Sequence, residues 1–179
     1  SLKPNYADAY NNLGIAFKIK RDYDQALIAY SKAISINKDY AEAYSNMSVA
    51  LQAQGNFVQA MKAYHKCILL KPTHVDAYIN MGVSLHLQGK IDEAIQAYNM
   101  ALSHNPNSSV IYNNIGNALK EQGKLDDAIK AYDKSISLNS ENAEAYCNIG
   151  LALHDQDKFD EAIEAFNKCI LLRPNYAQA

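Results

Sequence analysis

The 179-residue chain is predicted to be all-α, a stack of five helix pairs. Three observations carry this. Tyr10, Tyr44, Tyr78, Tyr112 and Tyr146 stand 34 residues apart, and so do Asn12, Asn46, Asn80, Asn114 and Asn148, and Ala26, Ala60, Ala94, Ala128 and Ala162. Between these fixed points the apolar residues recur at helical spacing, not with the alternation of a strand. Glycine or proline punctuates most copies at the same places, such as Gly55, Gly89 and Gly123, or Pro72, Pro106 and Pro174. A period of this length, held across nearly the whole chain, specifies an array of supersecondary units that bury their apolar faces only by stacking.

Each copy is numbered 1–34 from Ala7, Ala41, Val75, Ser109 and Ala143, giving repeats 7–40, 41–74, 75–108, 109–142 and 143–176. The first helix of a copy, helix A, begins at position 1. In "ADAYNNLGIAFKIK" the apolar positions 3, 4, 7, 10 and 11 share one face. Glycine at position 15 ends it in a left-handed cap, and Arg21 and Asp157 depart from that rule. Helix B follows, opened by acids such as Asp92-Glu93 and Asp126-Asp127, which suit a helix N-terminus. Its apolar positions 17, 20, 21, 24, 27 and 28 again form one face. Position 33 (Asn5, Asp39, Thr73, Asn107, Asn175) offers an N-cap for the next helix A. The predicted spans are 7–20 for the first helix A and 23–36 for the first helix B, with every later pair 34 residues on. Residues 1–6 read as the end of a preceding repeat and 177–179 as the start of another, so the chain is expected to be cut from a longer array and to associate end to end.

Small residues at position 8 (Gly14, Ser48, Gly82, Gly116, Gly150), alanine at 20, small residues at 27 and aromatics at 4 and 24 resemble the tetratricopeptide repeat family. The likeness covers residues 7–176. It implies a right-handed α-solenoid with the A helices lining the inner face. The segment itself is read as non-catalytic, with the activity of its parent protein left open. Phrases such as "AYNNLG", "AYINMG" and "AYCNIG" are similar to the superhelical repeat region of the O-linked N-acetylglucosamine transferase family, where an asparagine ladder holds the main chain of the substrate polypeptide. A second family subclass clamps a C-terminal carboxylate with basic residues. The acids at position 2 here (Asp8, Glu42, Asp76, Glu144) would repel that group, so this mode is rejected.

Composition excludes several classes. Nineteen acidic residues oppose seventeen basic ones, which is no footprint for nucleic acid. No apolar run approaches the roughly 20 residues of a membrane span. Cys67, Cys147 and Cys169 are odd in number and widely spaced, so neither a disulfide framework nor a zinc site is expected. Cys67 and Cys169 read as buried packing residues, and a reducing compartment, cytoplasmic or nuclear, is the expectation. No metal-binding histidine pair, phosphate loop or nucleophile elbow occurs, so no cofactor, metal or catalytic residue is assigned.

The chemistry left over is the asparagine row. An amide offers a donor and an acceptor at once, as a peptide main chain requires. Asn12, Asn46, Asn80, Asn114 and Asn148 at position 6, with Lys18, Gln52, His86, Lys120 and His154 at position 12, are the candidate peptide-binding groove. The expected function is a protein-interaction scaffold that binds an extended peptide segment. Two alternatives stand beside it: the substrate-recognition arm of a larger glycosyltransferase, and a structural spacer or self-association module whose amides bond only to neighbouring helices.

Overall fold

A computed structural model describes residues 5–173. All ten helices in that range alternate as expected: α1 (Asn5–Ile19), α2 (Tyr23–Ile36), α3 (Ala41–Ala53), α4 (Phe57–Leu70), α5 (Val75–Leu87), α6 (Ile91–His104), α7 (Ser109–Glu121), α8 (Leu125–Leu138), α9 (Ala143–His154) and α10 (Phe159–Leu172). The odd-numbered helices are the A helices and the even-numbered ones the B helices. The chain divides into two compact units, residues 1–84 and 85–179, with the division inside α5.

In the first unit α1 packs on α2, α3 on α4, and α2 and α1 both on α3. Ala26 and Tyr30 of α2 are buried with Ala50 of α3, and Leu27 and Met47 complete that layer. The next layer joins Leu51, Ala60, Ala63 and Tyr64, with Met81 of α5 against them. In the second unit α7 pairs with α8 and α9 with α10, while α8 packs on α9 and α6 on α7. One core of this unit gathers Ala128, Tyr132, Ala145, Ile149, Leu153, Ala162 and Ala165.

The small-residue positions explain how these helices come close. A β-carbon added to Gly14, Gly116 or Gly150 would overlap the ring of Tyr30, Tyr132 or Phe166. Position 8 is therefore the hole that receives the position-24 ring of the same pair. The four tyrosines at position 24, Tyr30, Tyr64, Tyr98 and Tyr132, are fully buried or nearly so.

Two turns depart from the glycine rule at position 15 without changing shape. Gly55, Gly89 and Gly123 have φ of 74°, 72° and 72°, and Arg21 and Asp157 adopt 60° and 59°. A β-carbon in that region costs about 1–2 kcal/mol, so stacking of the flanking helices holds both residues there.

The expected N-cap falls one residue later than position 33. His74 Nδ1 and Asn142 Oδ1, both at position 34, each accept the backbone N–H three residues on at 3.3 Å. Asp39 instead lies in a turn closed by Asn37, whose Oδ1 accepts the Asp39 N–H at 3.1 Å. Asn175 lies outside the described residues.

The cysteine reading is also corrected. Cys147 of α9 and Cys169 of α10 form a disulfide, with Cα atoms 5.3 Å apart. Twenty-two residues separate them along the chain, but helices A and B of one pair run back along each other and bring positions 5 and 27 face to face. Cys67 is free and buried.

Gln–Asp ties between neighbouring pairs were not foreseen. The Nε2 groups of Gln54, Gln122 and Gln156, at the ends of A helices, donate to Asp24, Asp92 and Asp126 at 2.7, 2.7 and 2.8 Å. Each aspartate lies 30 residues earlier, in the first turn of the preceding B helix.

Candidate peptide-binding groove

Positions 2, 6, 9 and 13 fall on the side of helix A away from the position-8 hole. In the first unit this side opens onto a cavity of about 440 Å3. Its walls come from Lys18 of α1, from Glu42, Ser45, Asn46 and Val49 of α3, and from Asp76, Ile79 and Asn80 of α5, with His74 at the rim. Neither α2 nor α4 contributes a lining residue. Lys18, Asn46 and Asn80 are thus brought to one place. Asn12 is exposed on α1, and Asn46 and Asn80 are half-buried.

The amides are not all equivalent. Asn46 Nδ2 donates to Asn11 Oδ1 of α1 at 3.1 Å. Its oxygen accepts nothing among the described residues, and Asn80 makes no side-chain hydrogen bond there. In the second unit Asn148 Nδ2 donates to Asn113 Oδ1 at 3.2 Å and to Asn117 Oδ1 at 3.0 Å. Asn117 Oδ1 also accepts from Tyr132 Oη at 2.8 Å, and Asn113 Nδ2 donates to Glu144 Oε1 at 3.1 Å. Asn148 therefore presents mainly its oxygen outward, while Asn114 is half-buried without such a tie. The recurring geometry is a position-6 amide donating to a position-5 asparagine one repeat earlier.

The acids at position 2 are partly spent on the scaffold. Glu42 Oε1 receives Lys71 Nζ at 2.8 Å, and that hydrogen bond holds the Glu42 carboxyl below its usual range.

Position 12 scatters. Lys18 faces the first-unit cavity. Gln52 does not: its Oε1 accepts the Tyr64 hydroxyl at 2.9 Å, so it serves the core. In the second unit His86 Nε2 lies 2.8 Å from Glu121 Oε1. Lys120 is half-buried on α7, and His154 is exposed with its ring edge-on to Phe159 at 5.6 Å. Gln52 differs from Lys18 in accepting the buried hydroxyl of Tyr64, a contact made across the two helices of the pair and twelve residues away in sequence. Asn11, Asn113 and Asn117, which organise the amide row from beside it, were missed. Their signal was present as asparagines at positions 5 and 9, but in only some copies.

Family models described as tetratricopeptide repeat match residues 7–40, 75–108 and 143–176. Others with that description match 41–74 and 97–130, and one described as TPR repeat matches 116–157. The chain belongs to the tetratricopeptide repeat family. As such it is a protein-interaction scaffold. Among solved structures, this tetratricopeptide chain is similar to MamA, at 27% identity and a TM-score of 0.80 over 93% of this chain and 98% of that one. PilF of Pseudomonas aeruginosa is similar at 22% identity and a TM-score of 0.87, over 93% of this chain and 76% of that one. YrrB, described as a TPR protein with an unusual peptide-binding site, is similar at 20% identity and 0.73, over 94% and 87%. A search of curated proteins returned no match. No helix among the described residues is long and apolar enough to cross a membrane.

Proposed function

We propose that this tetratricopeptide chain holds an extended peptide by its main chain, through the amides of Asn12, Asn46 and Asn80 in the first unit and of Asn114 and Asn148 in the second. The proposed binding unit is the 34-residue repeat, in the windows 7–40, 41–74, 75–108, 109–142 and 143–176. What carries the reading is the cavity onto which Asn46, Asn80 and Lys18 open together. The oxygen of Asn46 is left to accept a peptide N–H, and Asn80 has both an acceptor and donors to give. Packed helices lie about 8–10 Å apart and an extended chain advances about 3.3 Å per residue. Each amide then serves about three ligand residues. YrrB's peptide-binding site belongs to YrrB: at 20% identity its likeness concerns the fold, and the binding reading rests on this chain's residues. The test is selection of peptides from a random phage-displayed library, followed by anisotropy titration of the winners against Asn80→Ala and Asn114→Ala. Binding that survives both substitutions unchanged would refute it.

A second reading, self-association, is favoured by one observation. Ile163 and Ile170 of α10 are 57% and 50% exposed. Their counterparts on α8, Ile129 and Ile136, pack against the next repeat's core. The α10 face therefore fits a further A helix, from a following repeat or from a second copy. Sedimentation of the 179-residue chain should reveal dimers that Ile163→Lys dissolves; a strict monomer at high concentration would contradict it.

A further inference from the structure

Positions 5 and 27 face each other within a helix pair. In the second pair they are Ser45 and Cys67; the thiol is 0% exposed, interacts with Ser45, and is pushed up to about 11 by burial. In the fifth pair they are Cys147 and Cys169, bonded to each other. Their Cα separation of 5.3 Å lies in the range a disulfide spans without backbone movement. In both pairs the register sets positions 5 and 27 against each other, and only the fifth supplies both sulfurs.

The two sulfurs have different surroundings. Cys169 is 4% exposed, whereas Cys147 is half-buried. Both border a cavity of about 360 Å3 completed by Ala143, Glu144, Asn148 and Arg173. A thiolate attacks a disulfide sulfur it can approach, so access selects which one is struck.

We propose that Cys147–Cys169 is a thiol-exchange site for low-molecular-weight thiols, in which Cys147 is the sulfur attacked and Cys169 the resolving thiol. An incoming thiolate enters the cavity and bonds to Cys147 Sγ. The Sγ–Sγ bond breaks, and its electron pair leaves on Cys169, which takes up a proton. A second thiolate attacks the small-molecule sulfur of the mixed disulfide and releases Cys147, which is protonated in turn. In total two small thiols are oxidised to their disulfide and the protein disulfide gains two electrons and two protons. In the reverse direction the Cys147 thiolate attacks a small disulfide, and Cys169 displaces the second thiol to close the cross-link. Cys67, with Ser45 opposite it, has no resolving partner. The site does not depend on whether the groove binds a peptide.

The test carries Cys67→Ala throughout, since alanine already stands at position 27 as Ala33 and Ala101. One chain adds Cys169→Ser and another Cys147→Ser; serine stands at the same positions as Ser135 and Ser45. Each is exposed to glutathione disulfide, and the adduct is followed by intact mass. The folded chain that keeps Cys147 should gain the adduct about tenfold faster than the one that keeps Cys169, and in urea the two rates should converge. The chain keeping both cysteines, air-oxidised and folded, should resist maleimide until it is reduced. Equal rates in the folded state, faster reaction at Cys169, or maleimide on both sulfurs of the air-oxidised chain would overturn the proposal.

Discussion

Asn46 of α3 donates a 3.1 Å hydrogen bond to Asn11 of α1, 35 residues earlier. Asn148 repeats the relationship with Asn113. The amide row is thus partly a tie between repeats, and only the atoms the ties leave over can meet a ligand. Asn11 is buried, so removing Asn46 strands its carbonyl oxygen. Asn46→Ala should cost about 1 kcal/mol of stability, and Asn80→Ala, which breaks no such bond, about 0.5 kcal/mol or less. Urea denaturation of the two variants checks this, and equal costs would remove the distinction.

The position-24 hydroxyls make a second contrast. Tyr64 and Tyr132 find side-chain acceptors in Gln52 and Asn117. The buried Tyr30 hydroxyl finds no partner among the described residues, since its pair offers Ile15 and Lys18 at the equivalent places. Tyr30→Phe is therefore expected to be neutral or stabilising, as the natural Phe166 implies. Tyr64→Phe should lose about 1 kcal/mol. Thermal melts of both variants decide the matter.

The position-15 turns give opposite signs for one kind of substitution. Nothing lies within 4 Å of a β-carbon added to Gly55, so Gly55→Ala meets backbone strain alone and should cost about 1 kcal/mol. Arg21→Gly and Asp157→Gly relieve the same strain and should each stabilise by up to about 1 kcal/mol. Chemical denaturation with matched slopes checks all three.

Alkaline pH should weaken the fold through its tyrosines. Burial raises the phenols of Tyr30 and Tyr98 to about 12, and those of Tyr64 and Tyr132 also rise. Their folded values exceed the unfolded value of about 10. The contribution is therefore complete below pH 10 and is lost as pH climbs through 12. Between those limits each phenol lowers stability by about 1.4 kcal/mol per pH unit. A flat stability profile from pH 9 to 12 would contradict this burial.

The local parts of this architecture were legible in the sequence, and the parts set between helices were not. The spans of α2, α4, α6, α8 and α10 coincide with those predicted, because helical periodicity and its punctuation lie within one stretch of chain. The caps at His74 and Asn142 moved by one residue, since the turn before helix A is closed by the position-31 carbonyl, with Lys71 and Asn139 accepting the N–H of His74 and Asn142. The Cys147–Cys169 bond, the Gln–Asp ties and the use of Gln52 by Tyr64 all depend on how two helices are rotated against each other. A repeat length of 34 does not carry that rotation. In the groove, the asparagine row was visible as a repeated letter. Which of its atoms are spent on Asn11, Asn113 and Asn117 became visible only with the helices in place.

The central claim, recognition of a peptide's main chain by the position-6 amides, is tested most directly on the ligand. A selected peptide is resynthesised with single backbone N-methyl groups and, separately, with single alanine substitutions, and each version is titrated by anisotropy. Main-chain recognition predicts that N-methyl groups at about every third residue weaken binding about tenfold or more, while most alanine substitutions do little. Strong losses confined to alanine substitutions, with N-methylation tolerated everywhere, would contradict it.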